Sequence, residues 1–380
     1  MGPLSGIKIV EFAGLGPAPF ASMMLSDQGA EVIRIGRPQR PAPRDVGDVL
    51  SRGKRSITLN MKSALGLDVA RRIIASSDGL IEGFRPGVME KFGLSPEECA
   101  KINPALVFGR LTGWGQTGPL AKSAGHDLNY IALSGALQSM APADGPPQPS
   151  PGLVGDFGGG GMFLAFGMAC ALLEAQKSGL GQTVDASVCD GSAMLTSLIS
   201  GWRATGQWQD EAASNIGNGG APFYNSYRCK DGLDVTIGSI EPQFYGLLLQ
   251  ELDLTNDPLF AHQMDRSCWP EAKQRLTEIF AQRTRAEWCS QLEATDVCFA
   301  PVLSLSEAHD HPQNIKNKTF MEIDGVVQPS PAPKFGRTPG LKPGSVPIEG
   351  EDTLSLLQDL GLSNSEIEEA SGMPFENCRS

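Results

Sequence analysis

At 380 residues, with 41% hydrophobic side chains, the chain is long enough to fill two domains with sizeable cores. Its net charge of −12 excludes a general nucleic-acid binder, which needs a broad basic surface. Eight scattered cysteines form no C-x-x-C pair, so they read as reduced cytosolic thiols, neither a disulfide framework nor a zinc site.

The opening MGPLSGIKIVEF has no h-region and runs straight into a strand, so no signal peptide is expected. The final Cys-Arg-Ser is not a peroxisomal tripeptide, which leaves a cytoplasmic protein as the expectation. Ile7 to Phe12 reads as a buried parallel strand. A helical pattern at Phe20, Met23, Met24 and Leu25 follows, then the strand EVIRI. The pair Gly14-x-Gly16 lacks the third glycine of a dinucleotide fingerprint and is followed by prolines, so NAD is rejected.

Between Arg34 and Arg55 stand Arg34, Arg37, Arg40, Arg44, Arg52, Lys54 and Arg55, against only Asp45 and Asp48. By itself this run reads equally as a solvated Pro-rich loop or as a guanidinium clamp for phosphate. ITLNM (57–61), GLIEGF (79–84) and Leu106 to Leu111 read as further strands, with a helix over Leu67 to Ile74. Arg85 comes just past the carboxyl end of its strand, where open α/β sheets bind ligands. The alternation predicts a doubly wound α/β domain.

The chemistry concentrates between Gly125 and Ala175. His126 is one of four histidines, and Asp156 precedes Gly158 to Gly161 at the expected start of a long apolar helix. The glycines would let a ligand approach the backbone, and helix amides at Gly155 to Gly158 would meet a negative oxygen. A histidine, a carboxyl group and a helix end together suit proton transfer beside a carbonyl. The same residues also read as a capped core helix with a buried, satisfied histidine. The apolar window Phe157 to Leu173 is short and Gly-rich, so no membrane span is expected.

A helix over Phe163 to Glu174, a strand at GQTVDAS and a helix carrying Met194, Leu195 and Leu198 as core or acyl-pocket lining complete the large domain, residues 1–200. Residues 201–222 read as a linker and 223–310 as a small α+β domain. The latter holds a hairpin turning at Asp231-Gly232, helices after Glu241, from Pro270 and from Arg285, and a strand at CFAPVLSL. Residues 311–350 read as a return linker, and 351–380 as two short helices, Asp352 to Leu360 and Ser363 to Ala370. His309-Asp310-His311 reads as a solvated loop, so no metal site is expected.

GIKIVEFAGLGPAPFASMMLSDQGAEVIRI, LIEGFRPGVMEKFGL, LTGWGQTGP, AGHDLNY, VGDFGGGGMF, GGAPFYNSY, IEPQF and PAPKFGRTP resemble the family III CoA-transferase superfamily, and within it the α-methylacyl-CoA racemases. The resemblance implies a discontinuous Rossmann-like large domain on which the C-terminal helices pack, a small α+β domain and an interlocked homodimer. It implies an acyl-CoA substrate, with coenzyme A as part of that substrate, and no separate cofactor, membrane or nucleic-acid partner. His126 and Asp156 would be the two acid–base groups on opposite faces of C2, with Glu241 supporting His126. The CoA and acyl contacts would fall to Arg37, Leu59, Lys62, Arg85, Lys91, Gly125, Asp127, Tyr130 and Gly155. NIGNGG departs from the Leu-Asp pair common in relatives, which leaves acyl preference open. The alternative is a CoA-transferase in which an ionised Asp156 attacks the thioester and forms an acyl anhydride. Such enzymes typically carry an aromatic residue where this chain has His126.

Overall fold

The computed structural model describes residues 1–39, 42–340 and 342–378, so Arg40 of the basic run lies outside the described residues. The chain alternates strand and helix from the start: β1 (Lys8–Phe12), α1 (Pro17–Asp27), β2 (Glu31–Gly36), β3 (Arg55–Thr58), α2 (Ala64–Ala75), β4 (Gly79–Glu82), α3 (Val88–Lys91), α4 (Pro96–Ile102) and β5 (Val107–Thr112). After α5 (Asp127–Leu133) and α6 (Ala136–Ser139) comes a glycine-rich helix, Leu153–Gly161, which runs into α7 (Met162–Ser178), β6 (Thr183–Ser187) and α8 (Val188–Leu195).

The six strands form one parallel sheet in the order β3-β2-β1-β4-β5-β6. Both faces are covered, so the strands are rich in buried apolar residues, and the charged Glu11, Glu82 and Arg110 are buried among them as ion pairs. Successive residues of β1 serve opposite cores: Val10 joins the side that holds α2 and Met89, and Ile9 the side that holds Ala21 of α1 and Met168 of α7. Strand β3 starts earlier than expected and ends at Thr58. The chain breaks away at Asn60, whose amide bonds the Ala370 carbonyl at 2.8 Å and whose Oδ1 accepts the Lys62 amide.

The chain continues through α9 (Ser197–Ala204), β7 (Tyr224–Arg228), β8 (Asp234–Gly238), α10 (Pro242–Glu251), α11 (Trp269–Phe280), α12 (Arg285–Leu292), β9 (Phe299–Pro301), α13 (Leu305–Ala308) and α14 (Pro312–Asn317). The antiparallel sheet β7-β8-β9 carries a core rich in rings: Phe223 against Tyr245 and Trp269, and Phe280 against Tyr227 and Trp288. Then come β10 (Phe320–Ile323), β11 (Val326–Pro329), α15 (Thr353–Asp359) and α16 (Asn364–Ser371). The last two pack on β3 and α2 and bury Leu356, Leu357, Ile367 and Ala370 in the sheet's core.

Two compact units result: residues 1–134, 150–196 and 318–380, and residues 135–149 with 197–317. The stretch expected as a linker at 201–222 thus belongs to the second unit and includes the stacked rings of Trp202 and Trp208. The expected return linker contains the β10–β11 hairpin, turning at Asp324-Gly325 with φ of 52° and 78°. Met194, Leu195 and Leu198 are exposed rather than core, and the single helix expected there is two.

The apolar window also differs from expectation. Because the glycine-rich helix is continuous with α7, Leu153–Ser178 forms 26 helical residues, long and apolar enough by length and composition to cross a membrane. In this unit Leu164, Met168 and Leu172 pack against the sheet, while Met162, Phe166 and Leu173 are exposed.

Candidate active site

Chain order reverses between β1 and β4, and the loops leaving the carboxyl ends of the strands there open a crevice. Two cavities occupy it. One, of about 480 Å³, lies past β1, β2 and β3 and is lined by Ala13, Arg37, Leu59, Lys62 and Phe84 among others. The second, of about 190 Å³, lies past β4 and β5 and is lined by Phe84, Arg85, Trp114, Gly125, His126 and Tyr130 among others. Phe84 stands in both walls, with its ring edge-on to Phe12 at 6.3 Å.

The phosphate-clamp reading of the run between Arg34 and Arg55 narrows, because Arg34, Arg44, Arg52, Lys54 and Arg55 are ion-paired. Arg52 is buried and bidentate to Asp27, and it also bonds Gln328 and the Pro329 carbonyl, so it fastens the β10–β11 hairpin. Lys54 is buried on Glu11, Ser22 and the Pro19 carbonyl. Arg34 pairs with Glu349, Arg44 with Asp324 and Glu351, and Arg55 with Glu31 and Asp352. Arg52 and Lys54 are thus spent inside the fold, whereas Arg44 and Arg55 are paired at its surface. Arg37 and Lys62 are exposed at the larger cavity and Arg85 at the smaller one, and none has an ion-pair partner among the described residues. Leu59 is fully buried and builds the wall from behind, and Lys91, exposed at the end of α3, lines neither cavity.

His126 is the residue just before α5, with extended backbone. Its amide donates to the Asn129 side chain while its carbonyl accepts the Asn129 amide, which satisfies the helix start. Two rings hold the approach. Tyr130 donates its hydroxyl to the Gly125 carbonyl, and its ring meets Trp114 edge-on at 4.7 Å. A Cβ on Gly125 would come within 2.8 Å of Tyr130 and 2.9 Å of Trp114, so only glycine lets the chain through. The His126 residue itself is exposed, contrary to the reading of a buried, satisfied histidine. Trp114 carried no expected role; its signal in the sequence was an aromatic residue between two glycines straight after a strand.

Asp156 also departs from expectation. The helix begins at Leu153 after Gly152, so Asp156 lies within its first turns and does not cap it. Its turns are wide, as the bond from the Phe157 amide to the Gly152 carbonyl shows. The Asp156 amide is spent on Asp127 Oδ1 at 2.8 Å, so it cannot serve as the expected oxyanion donor. Nor do the glycines mainly open the backbone to a ligand. A Cβ on Gly159 would meet the Ser192 amide at 2.6 Å, and one on Gly161 the Pro17 carbonyl at 2.8 Å, so they seat this helix against α8 and α1.

The Asp156 carboxyl faces the loop between β1 and α1: a Cβ on Gly16 would stand 3.5 Å from Oδ2. Burial, and then the neighbouring Asp127 charge, push its pKa up to about 6, against a smaller opposing pull from His126. Asp156 in turn pushes up the Tyr130 phenol, after burial, while Arg85 acts the other way. His126, Asp127, Tyr130, Arg85 and Asp156 are therefore one electrostatic cluster. Gly155 is buried, and a Cβ there would stand 2.1 Å from Asp127 Oδ1.

Glu241 caps α10 in the second unit and is exposed. His311, expected in a solvated loop, bonds Glu293 at 2.7 Å. Among the described residues no group of three His, Cys, Asp or Glu side chains could hold a metal ion.

Residues 4–353 match the model of CoA-transferase family III. The chain belongs to CoA-transferase family III. It is 43% identical over 367 residues to α-methylacyl-CoA racemase of Mus musculus, an alignment covering 96% of this chain and 95% of the relative. It is 41% identical over 366 residues to α-methylacyl-CoA racemase of Homo sapiens, again with 96% and 95% covered. Among solved structures, a CAIB/BAIF family protein from Brucella suis superposes with a TM-score of 0.81 at 24% identity, covering 94% of this family III chain and 99% of that one. That likeness concerns the fold.

Proposed function

We propose that this protein is an α-methylacyl-CoA racemase that interconverts (R)- and (S)-2-methylacyl-CoA thioesters by proton transfer at C2. The observation that carries the reading is the pairing of Asp156, with its pKa pushed up to about 6, and His126 in one electrostatic cluster. Removing a hydrogen α to a thioester requires a base on one face, and inversion requires an acid on the other. A carboxyl group that titrates near neutrality can do either. In one direction His126 takes the proton from C2, the C–H electrons move into the enolate, and Asp156 delivers its proton to the opposite face. In the other direction the roles exchange.

Coenzyme A enters as part of the substrate, with its nucleotide at the larger cavity near Arg37 and Lys62 and its thioester toward the smaller one near Arg85. We propose Glu241 as the carboxylate that supports His126 from the partner chain of a homodimer. The same reading gives the protein a role in the metabolism of branched acyl chains. The transferase alternative needs an ionised Asp156 as nucleophile, and both its burial and the adjacent Asp127 oppose that.

The test is incubation of one enantiomer of a 2-methylacyl-CoA in D2O. Deuterium should enter C2 as the stereocentre scrambles. Acyl transfer to a free carboxylic acid without exchange would assign the transferase reaction instead.

A further inference from the structure

Two aspartates, Asp127 and Asp156, are joined where α5 packs on the glycine-rich helix, next to His126 of the smaller cavity. Asp127 Oδ1 accepts the backbone amide of Asp156 at 2.8 Å. The amide and the side chain of one aspartate are only a few covalent bonds apart, so this bond brings the second carboxylate beside the first. It is held there from both sides. Asp127 is the first residue of α5, and its Oδ2 lies 3.5 Å from the Ser150 hydroxyl. Gly155 leaves free the space that Oδ1 fills.

A carboxylate that merely capped the helix start would be an ordinary structural contact. This one accepts the amide of the residue that is to carry the proton. We propose that Asp127 is a positioning residue whose negative charge, held on the Asp156 amide, favours the protonated, donating form of Asp156. Like charges at short range cannot both be ionised cheaply, so the charge of one is stabilised at the expense of the other. The Asp127 carboxylate takes the Asp156 backbone amide as its donor, which fixes where its charge lies.

Other elements packed on the glycine-rich helix carry titratable groups as well. Asp27 of α1 is held by Arg52, and Arg110 of β5 is tied to Glu82 and Glu90. α8 adds Cys189 and Asp190, β6 adds Asp185, α7 adds Cys170, Glu174 and Lys177, and Arg85 and Tyr130 line the cavity itself. Of all these, Asp127 and His126 are the ones that act on Asp156.

The consequence for turnover rests on the racemase reading, whereas the charge coupling itself does not. Asp127→Asn keeps an oxygen acceptor for the amide and removes the charge. Its effect is read without substrate, as the pH titration of the protonated-carboxyl infrared band that Asp156→Asn abolishes. The midpoint should fall from about 6 by about one unit in Asp127→Asn, and likewise in Asp127→Ser, which guards against loss of one variant to misfolding. An unmoved midpoint in both variants overturns the proposal. If the midpoint moves, the pH limb of turnover that needs protonated Asp156 should move with it to lower pH. A shifted titration with an unshifted turnover profile would uphold the coupling and count against the proton-transfer reading.

Discussion

The Lys54 ammonium lies 2.6 Å from Glu11 Oε2, and neither side chain is exposed to solvent. Burial acts to strip the proton from Lys54, while Glu11 acts to keep it. Removing one partner leaves the other charge, or an unsatisfied polar group, in the core between β1 and α1. Lys54→Ala should therefore cost about 3–5 kcal/mol in stability. Pairing Lys54→Met with Glu11→Leu should recover most of that loss. Urea unfolding read beside kinetics is the check, and a fully stable Lys54→Ala with weakened CoA binding would restore the phosphate-clamp reading.

Arg37→Ala makes the opposite prediction within the same basic segment. Its side chain is exposed at the larger cavity, without an ion-pair partner among the described residues. Stability should not change, and KM for the acyl-CoA should rise more than kcat falls, since a nucleotide contact exists in ground and transition states alike. Steady-state kinetics with a 2-methylacyl-CoA decides it: a drop in kcat at constant KM would remove Arg37 from the nucleotide site.

The alternation of strand and helix in the large unit was legible because its strands are rich in apolar residues and most are followed by a helical period. The fate of the charges was not, since spacing alone cannot tell a cation that waits for phosphate from one that already holds Asp27 or Glu11. The β10–β11 hairpin could have been read from its Asp324-Gly325 turn, one of the strongest local hairpin signals. The surrounding prolines hid it. The four glycines before α7 were visible, but their purpose depends on α8, which lies about thirty residues further on and reaches them only through the packing of the fold.

That packing gives a prediction for glycine. A Cβ on Gly191 would stand 1.8 Å from the Gly159 carbonyl oxygen, so Gly191→Ala must push α8 away from the glycine-rich helix. The expected cost is about 1–3 kcal/mol, with loss of turnover because Asp156 sits on the displaced helix. Gly201→Ala is the matched control. Nothing lies within 4 Å of its Cβ, and it falls in α9, so it should be neutral or stabilise by up to about 1 kcal/mol. Thermal melts of the two variants that coincided would refute the contact.

Asp156 should also cost the fold stability. Its pKa is pushed up from 3.8 to about 6, so the native state holds this proton more tightly than the unfolded chain does. By linkage, the penalty is absent below pH 4, grows as pH rises from about 4 to about 6, and stays constant above that. Asp156→Asn removes the penalty. It should match the wild type near pH 4 and exceed it by about 1–2 kcal/mol at pH 7.5, a shift of this size being discounted for partial exposure. A stability difference that does not change with pH would mean that Asp156 is not perturbed. An inactive variant that is more stable than its parent is the usual signature of a strained site.

The last prediction concerns Glu241, which the chain presents exposed at the start of α10 in its second unit. A carboxylate beside His126 would stabilise the imidazolium and fix the ring's orientation. Its loss should lower turnover less than loss of His126 and move the pH–rate profile. If it reaches His126 from the partner chain, the two lesions can be separated by mixing. In a heterodimer of His126→Ala and Glu241→Ala chains, one site carries both lesions and the other carries neither. With random pairing, about a quarter of wild-type activity should return in the mixture, well above either parent. Subunit exchange verified by differently tagged chains, with no such recovery, would place Glu241 within its own chain's chemistry or outside it.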